Sequence, residues 1–381
     1  MKLRIAMISD HASPLAALGG ADCGGQNVYV SQVARALASQ GHQVDVFTRR
    51  DDPALPMVVN ACEGVRVVHV PAGPAAPVRK EDMLPYMAEF SAFTTGWCAC
   101  DDRGYDIAHA NFWMSGMVAL ELKERLGLPF VVTFHALGRV RRLYQGAADG
   151  FPEARLEIEE HVIDGAARVI AECPQDEQDL LTLYEADPQR ISMIPCGVDT
   201  TSFRPVPRRR ARSIIGLKQS ERMVLQLGRI VPRKGIDNVI RGVARLRELR
   251  GVECTLIIVG GDSDTPDPVI TPEIARLMAV AEREGVAKQV RFVGRRGRDL
   301  LPYYYSAADV FVTTPWYEPF GLTPLESMAC GTPVIGADVG GIRYTVCDGV
   351  TGYLVPPDDP ESLAERLALV LTEPRHRQAL A

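Results

Sequence analysis

Short apolar runs rich in valine and isoleucine alternate with helical periods along the whole chain, and halfway along the pattern starts again. The first series is "RIAMIS" (4–9), "QVDVFT" (43–48), "VRVVHV" (65–70), "DIAHA" (106–110), "FVVTFHA" (130–136) and "RVIAE" (168–172). Between its first two runs Val30, Val33, Ala34 and Leu37 mark one face of an amphipathic helix. The second series is "MVLQLG" (223–228), "TLIIVGG" (255–261), "VRFVG" (290–294), "DVFVTT" (309–314) and "TPVIGA" (332–337). Near-continuous apolar strands separated by helices predict parallel sheets covered on both faces. The fold class is therefore α/β, with two doubly wound, Rossmann-like domains. A length of 381 residues supplies two full cores. Between the series lies "FRPVPRRRAR" (203–212), rich in proline and arginine and without an apolar period, which reads as a linker. The expected domains are 1–204 and 205–381. Doubly wound sheets bind ligands at the carboxyl ends of their strands, so the expected site is a cleft between the two.

Composition removes several function classes. A net charge of −6 argues against non-specific nucleic-acid binding, which runs on clustered cations. The basic runs "RVRR" (139–142) and "RRR" (208–210) are short and read as solvated faces. Nine cysteines lie scattered without zinc spacing, and suit free thiols in a reducing cytoplasm. "MKLRIAMIS" enters a strand directly, with no leader-like segment. No run approaches the ~18 apolar residues of a membrane span. A nicotinamide enzyme would place G-x-G-x-x-G after the first strand, where "ISDHASPLAALGGADCGGQN" stands instead.

The charged motifs point elsewhere. "GRIVPRKG" (228–235) follows the first strand of the second series and opens a helix, whose N-terminus attracts anions. Arg229 and Lys234 add full charges there, and a diphosphate suits them; the plainer reading is two solvated loop cations. In "EPFGLTPLES" (318–327), "TPLE" reads as a helix start with Thr323 as N-cap and Pro324 in the first turn. Glu326 then has a plain role as capping-box partner, whereas Glu318 has none. Beside a diphosphate a carboxylate should face something neutral and rich in hydroxyls, and sugar fits. Gly321 would let backbone approach that ligand. A glycosidase also uses two acids, but it has little use for Arg229 and Lys234. The loop "GGADCGGQNVYV" (19–30) holds four glycines in seven positions before a helix, and "GADVGGI" (336–342) mirrors it. Close backbone contact with a ligand is the reading, a flexible turn the alternative.

Together "GGQN", "FHALGR", "GRIVPRKG", "EPFGLTPLE" and "GTPVIGADVGG" resemble the retaining glycosyltransferases of family 4, which have the GT-B fold. The likeness covers essentially the whole chain. "HALGR" and "RLEIEE" (155–160) are similar to the sucrose-phosphate synthase type. "HASPLAALGGADCGGQNVYV" and "ANFWMSG" are similar to the inositol-phosphate glycosyltransferases of mycothiol synthesis. The resemblance implies that a hexosyl group moves from a nucleoside-diphosphate sugar, UDP-glucose in the relatives, to a sugar or cyclitol acceptor, with retention. By it Arg229 and Lys234 hold the donor diphosphate, and Glu326 takes the ribose hydroxyls. Glu318, with the backbone of Phe320 and Gly321, holds the donor sugar, and Leu322 and Thr323 complete the donor site. Gly25 lies against the diphosphate or reacting centre, His135 contacts the donor sugar, and Gln26 and Asn27 face the acceptor. No cofactor and no metal are expected, and no Asp-x-Asp stands at a donor position. An acceptor phosphate would meet Lys80 and Arg155, the two cations that match the relatives' phosphate clamp. Phe112 and Ala136 stand where that clamp has hydroxyl donors. The plainer reading pairs Arg155 with Glu159, four residues along the same helix. The family closes with a terminal helix that crosses back to the first domain, and here the chain stops at "EPRHRQALA" (373–381), so that crossover is expected to be missing. A nucleotide-sugar epimerase of the same fold and a Rossmann oxidoreductase are the rival classes.

Overall fold

The computed structural model describes residues 1–16 and 24–381. They form two compact units, the first holding Met1–Ala16 and Gly25–Pro195, and the second holding Cys196–Ala381.

Among the described residues the first unit contains eight strands: β1 (Arg4–Ile8), β2 (Gln43–Arg49), β3 (Val58–Cys62), β4 (Val65–Val70), β5 (Ile107–Asn111), β6 (Phe130–Thr133), β7 (Arg168–Ala171) and β8 (Ile191–Met193). They line up as β3-β4-β2-β1-β5-β6-β7-β8, and every neighbour pair is parallel except β3 with β4. The second unit contains β9 (Met223–Leu227), β10 (Thr255–Val259), β11 (Val290–Gly294), β12 (Val310–Thr313), β13 (Val334–Ala337) and β14 (Gly352–Val355) in the order β11-β10-β9-β12-β13-β14, all parallel. Burial on both faces explains the unbroken apolar runs. Along β9, Met223, Leu225 and Leu227 enter one core while Val224 enters the core on the other face. Each such side chain contributes roughly 1.5–3 kcal/mol when fully buried.

Three strands escape the sequence pattern: the edge strands β3 and β8 and the short β14. The residues of β3 are only half-buried or exposed, and β8 spans three residues, so neither shows a strong apolar signal. The stretch 203–212 also differs from the linker reading, because it packs inside the second unit. Phe203 is fully buried and a helix begins at Arg208. Asp309 collects three guanidinium groups, from Arg208, Arg212 (3.0 Å) and Arg377 (2.6 Å). Paired arginines can be hidden in a core that unpaired ones could not enter. The compact units accordingly divide at Pro195 and Cys196. The segment after "LVLT" is helical as well: Pro374–Leu380 packs beside the helix Pro360–Thr372 and places Leu380 in the second unit's core.

Candidate active site

In the second unit the chain leaves β9 through Gly228 and Arg229. It makes a tight turn at Pro232–Lys234 and enters the helix Ile236–Arg250 after Gly235. Beside it β12 ends at Thr313. Thr314 Oγ1 donates to the Gly235 carbonyl (3.0 Å), and Trp316 N–H donates to the Arg233 carbonyl (2.9 Å). These bonds lock the two loops together and bring Lys234 Nζ into a hydrogen-bonded ion pair with Glu318. Arg233 stacks over the Tyr317 ring at 5.3 Å. Burial, reinforced by Arg233 and Arg229, pulls the Lys234 ammonium down to about 8 despite Glu318. Burial pushes the Glu318 carboxyl up, but Lys234, Arg233 and Arg229 outweigh it, and the net direction is down. The sequence motifs thus meet as three cations around one ionised carboxylate.

Glu326 stands in a different setting. The helix Leu322–Ala329 starts after Gly321, whose φ of 94° makes it the N-cap, and no side chain caps it. Thr323 is therefore inside the helix rather than its cap, and Glu326 is not a capping-box partner. Instead its buried carboxylate accepts from Arg298 Nη1 (3.0 Å) and Tyr305 Oη (3.0 Å). Burial raises its pKa, against the pull of Arg298 and Tyr305. Arg298 itself lies over the Phe203 ring at 4.7 Å. Phe320 is buried, and Leu322 and Thr323 are half-buried at the helix start. The glycine pair 340–341 serves packing: a Cβ on Gly340 would lie 2.0 Å from the Glu318 carbonyl, and one on Gly341 would lie 2.2 Å from that of Phe320. Gly341 N–H also donates to Glu318 O (2.9 Å), which fixes the Glu318 loop from behind.

In the first unit the carboxyl ends of β1, β5, β6 and β7 gather a second polar cluster. Gly25 opens the helix Gly25–Ser39, and its Gln26 donates to the Asn111 carbonyl (3.2 Å) while Asn27 donates to the Ser13 carbonyl (3.0 Å). Of the preceding loop, residues 19–23 lie outside the described residues. His135 follows β6 in the left-handed region (φ 59°), with Asn111 Oδ1 3.1 Å from Nε2 and Glu172 Oε1 3.2 Å from Nδ1. Tyr29 packs edge-on to the ring at 4.7 Å between centroids. Phe112, after β5, also has a positive φ (87°). Positive φ at two non-glycine residues on neighbouring strand ends is uncommon and costs about 1–3 kcal/mol each. His11, held by Asp10 (2.9 Å), packs against Phe112.

Arg155 takes the plainer of its two expected roles. It is 1% exposed, its Nε donates to Glu159 (2.7 Å), and another nitrogen donates to the Ala136 carbonyl. Its guanidinium sits 4.5 Å from the Phe151 ring and 5.0 Å from that of Phe112. Glu159 is fully buried and also receives the Gly138 N–H and the Tyr184 hydroxyl. Lys80, in the turn Lys80–Asp82, lies 3.9 Å from Glu81. Sequence reasoning missed Asn111, Glu172, Tyr29, Arg233, Arg298 and Tyr305. Tyr29, Asn111 and Arg233 sat inside quoted motifs without being singled out, and Glu172 closed a strand run; Arg298 and Tyr305 come from segments that carry no motif.

The chain matches two family models, the "Glycosyl transferase 4-like domain" over residues 24–197 and "Glycosyl transferases group 1" over residues 207–381. It is 40% identical to D-inositol 3-phosphate glycosyltransferase 2 of Catenulispora acidiphila, over 99% of this chain and 88% of that one. It is 39% identical to a D-inositol 3-phosphate glycosyltransferase of Actinosynnema mirum, over 99% and 91%. Among solved structures it resembles the sucrose-phosphate synthase of Thermosynechococcus elongatus with a TM-score of 0.91 and 34% identity, over 100% of this chain and 92% of that one. No helix among the described residues is long and apolar enough to cross a membrane.

Proposed function

The chain belongs to the group 1 glycosyl transferases with the GT-B fold, and from that premise we propose a retaining hexosyl transfer from UDP-glucose to a sugar or cyclitol phosphate. The observation that carries the reading is the Lys234–Glu318 pair with Arg229 and Arg233 acting on both. Cations for a departing diphosphate and a carboxylate for sugar hydroxyls are what a nucleotide-sugar donor needs together. The anomeric C–O bond to phosphate breaks with its electron pair going to the diphosphate, whose charge Arg229, Arg233 and Lys234 meet. The acceptor oxygen bonds to the same face of the anomeric carbon, and its proton passes to the departing phosphate. No bound metal is required where three cations already face the leaving group. Glu326, steadied by Arg298 and Tyr305, takes the ribose hydroxyls; His135 and Gln26 serve the sugar and acceptor side.

A phosphorylated acceptor is supported by the names of the relatives. In this chain Arg155 is committed to Glu159, so Lys80 is the cation that meets the phosphate. The test mixes UDP-glucose with inositol phosphate or a hexose phosphate and follows UDP release and the anomeric coupling of the product. UDP-glucose consumed without an acceptor-linked product overturns the transfer, and a β-linked product overturns retention.

A further inference from the structure

His135 is hemmed by acceptors on both sides. Asn111 is completely buried, and its Nδ2 lies 3.3 Å from the carbonyl oxygens of Ile8 and His109. Turning the amide over would press its oxygen against both carbonyls, so the orientation is fixed by its surroundings. Oδ1 therefore faces His135 Nε2, and that contact requires a proton on Nε2. On the other side Nδ1 faces a carboxylate oxygen of Glu172, and with Glu172 ionised that contact requires a proton on Nδ1. A neutral imidazole carries one N–H; only the imidazolium carries both.

The surrounding charges agree. Glu172 is 4% exposed, and a buried carboxylate is costly unless a cation or hydrogen bonds compensate it. From β5, His109 is held down to about 4 by burial and by His135, so it stays neutral and bonds Thr133 Oγ1 at 2.9 Å. From the helix Pro174–Leu183, Asp176 accepts the Glu172 N–H (3.0 Å), and burial followed by Glu172 itself raises Asp176 to about 7. Asp179, one turn on, is raised by burial, and burial keeps the Cys173 thiol neutral. Tyr29 offers an aromatic ring from the helix Gly25–Ser39. His135 meets the Glu172 carboxylate directly, Nδ1 to Oε1 at 3.2 Å, and is placed to carry positive charge beside it.

We propose that Glu172 is a positioning residue that holds His135 as an imidazolium, making His135 a fixed donor and positive charge rather than a base. This rests on the reading that places His135 at the transferring sugar. It adds that the acceptor's proton cannot leave through His135.

The test uses full-length protein with ¹⁵N-labelled histidine, the His135 signals being assigned by their loss in His135→Asn. Near neutral pH both ring nitrogens of His135 carry protons in the wild type. In Glu172→Gln, whose amide can donate to Nδ1, only one does. Transfer falls on the order of tenfold in Glu172→Gln, with the alkaline fall-off of kcat/KM beginning about one pH unit earlier; Glu172→Asp restores the wild-type limb. A neutral His135 ring in the wild type overturns the proposal. So does a pH profile that Glu172→Gln lowers without moving. If Glu172→Gln fails to fold, the wild-type spectrum alone decides. Absence of transfer from any nucleotide sugar would sink the transferase reading, and the spectrum would still report the charge of His135.

Discussion

Lys234 and Glu318 form the residue pair on which the proposed donor chemistry turns. If Lys234 and Arg229 meet the charge of a leaving diphosphate as proposed, Lys234→Ala or Arg229→Ala should lower kcat on the order of 10²-fold. The pH dependence has a definite sign. With its pKa lowered to about 8, Lys234 is charged below that value and loses its proton as pH rises through it. UDP favours the charged form, so its affinity should weaken about tenfold per pH unit above that point, and Lys234→Met should flatten the profile. Calorimetric titration with UDP from neutral pH upward decides this, and an unchanging wild-type affinity would exclude it. Glu318 and Glu326 should separate. Glu326→Ala should mainly weaken UDP binding, whereas Glu318→Ala should spare UDP and slow transfer; the reverse pattern would exchange their roles. Lys234 and Glu318 were each legible as candidates because each sat in a motif with chemistry of its own, but their direct pairing was not. Nor were the bonds of Glu326, since Arg298 and Tyr305 lie 28 and 21 residues away in segments with no pattern of their own.

Among elements, the ones that hold the site were read better than their ends. Long buried parallel strands such as β1, β2, β9 and β10 announce themselves, because two covered faces demand unbroken apolar runs. Edge strands do not, and the start of the helix carrying Glu326 was misplaced because Gly321, at φ 94°, caps it without a side chain. The glycines of "GADVGGI" were read as ligand contacts, but their neighbour is the Glu318 loop. Gly341→Ala tests that. Its φ of −66° suits alanine, so strain in its own backbone is absent and only the collision with Phe320 remains. Overpacking of this kind costs about 1–3 kcal/mol, and here the segment that must yield carries Glu318. We expect a lowered melting temperature together with reduced kcat, while Gly197→Ala, with nothing within 4 Å of the new Cβ, leaves both unchanged. Full activity in a stable Gly341→Ala would show that the Glu318 loop does not depend on this contact.

At the scale of the whole molecule, the repeat in the sequence foretold two units but not where one ends. The division was placed at proline and arginine because exposed-looking residues imply a linker, but Arg208 and Arg212 of that stretch pair with Asp309 inside the second unit's fold. Two units with separate cores and separate polar clusters should also respond separately to ligand. UDP at about 100 times its Kd adds roughly 2.7 kcal/mol to the unfolding free energy of whatever binds it. For a unit of roughly 150–250 residues each kcal/mol moves the midpoint by about 2–4 °C, so a rise of roughly 5–11 °C is expected in the transition that carries the second unit. Lys234→Ala should abolish most of that rise. Arg155→Ala breaks a buried pair and leaves Glu159 uncompensated, which costs about 3–5 kcal/mol in the first unit. It should lower the melting of the first unit and leave the UDP-dependent rise of the second intact. Calorimetric scans of wild type and both variants, with and without UDP, make the comparison. Loss of the UDP shift in Arg155→Ala with the second transition otherwise unchanged would place nucleotide binding on the first unit and refute the assignment of Lys234 to the diphosphate.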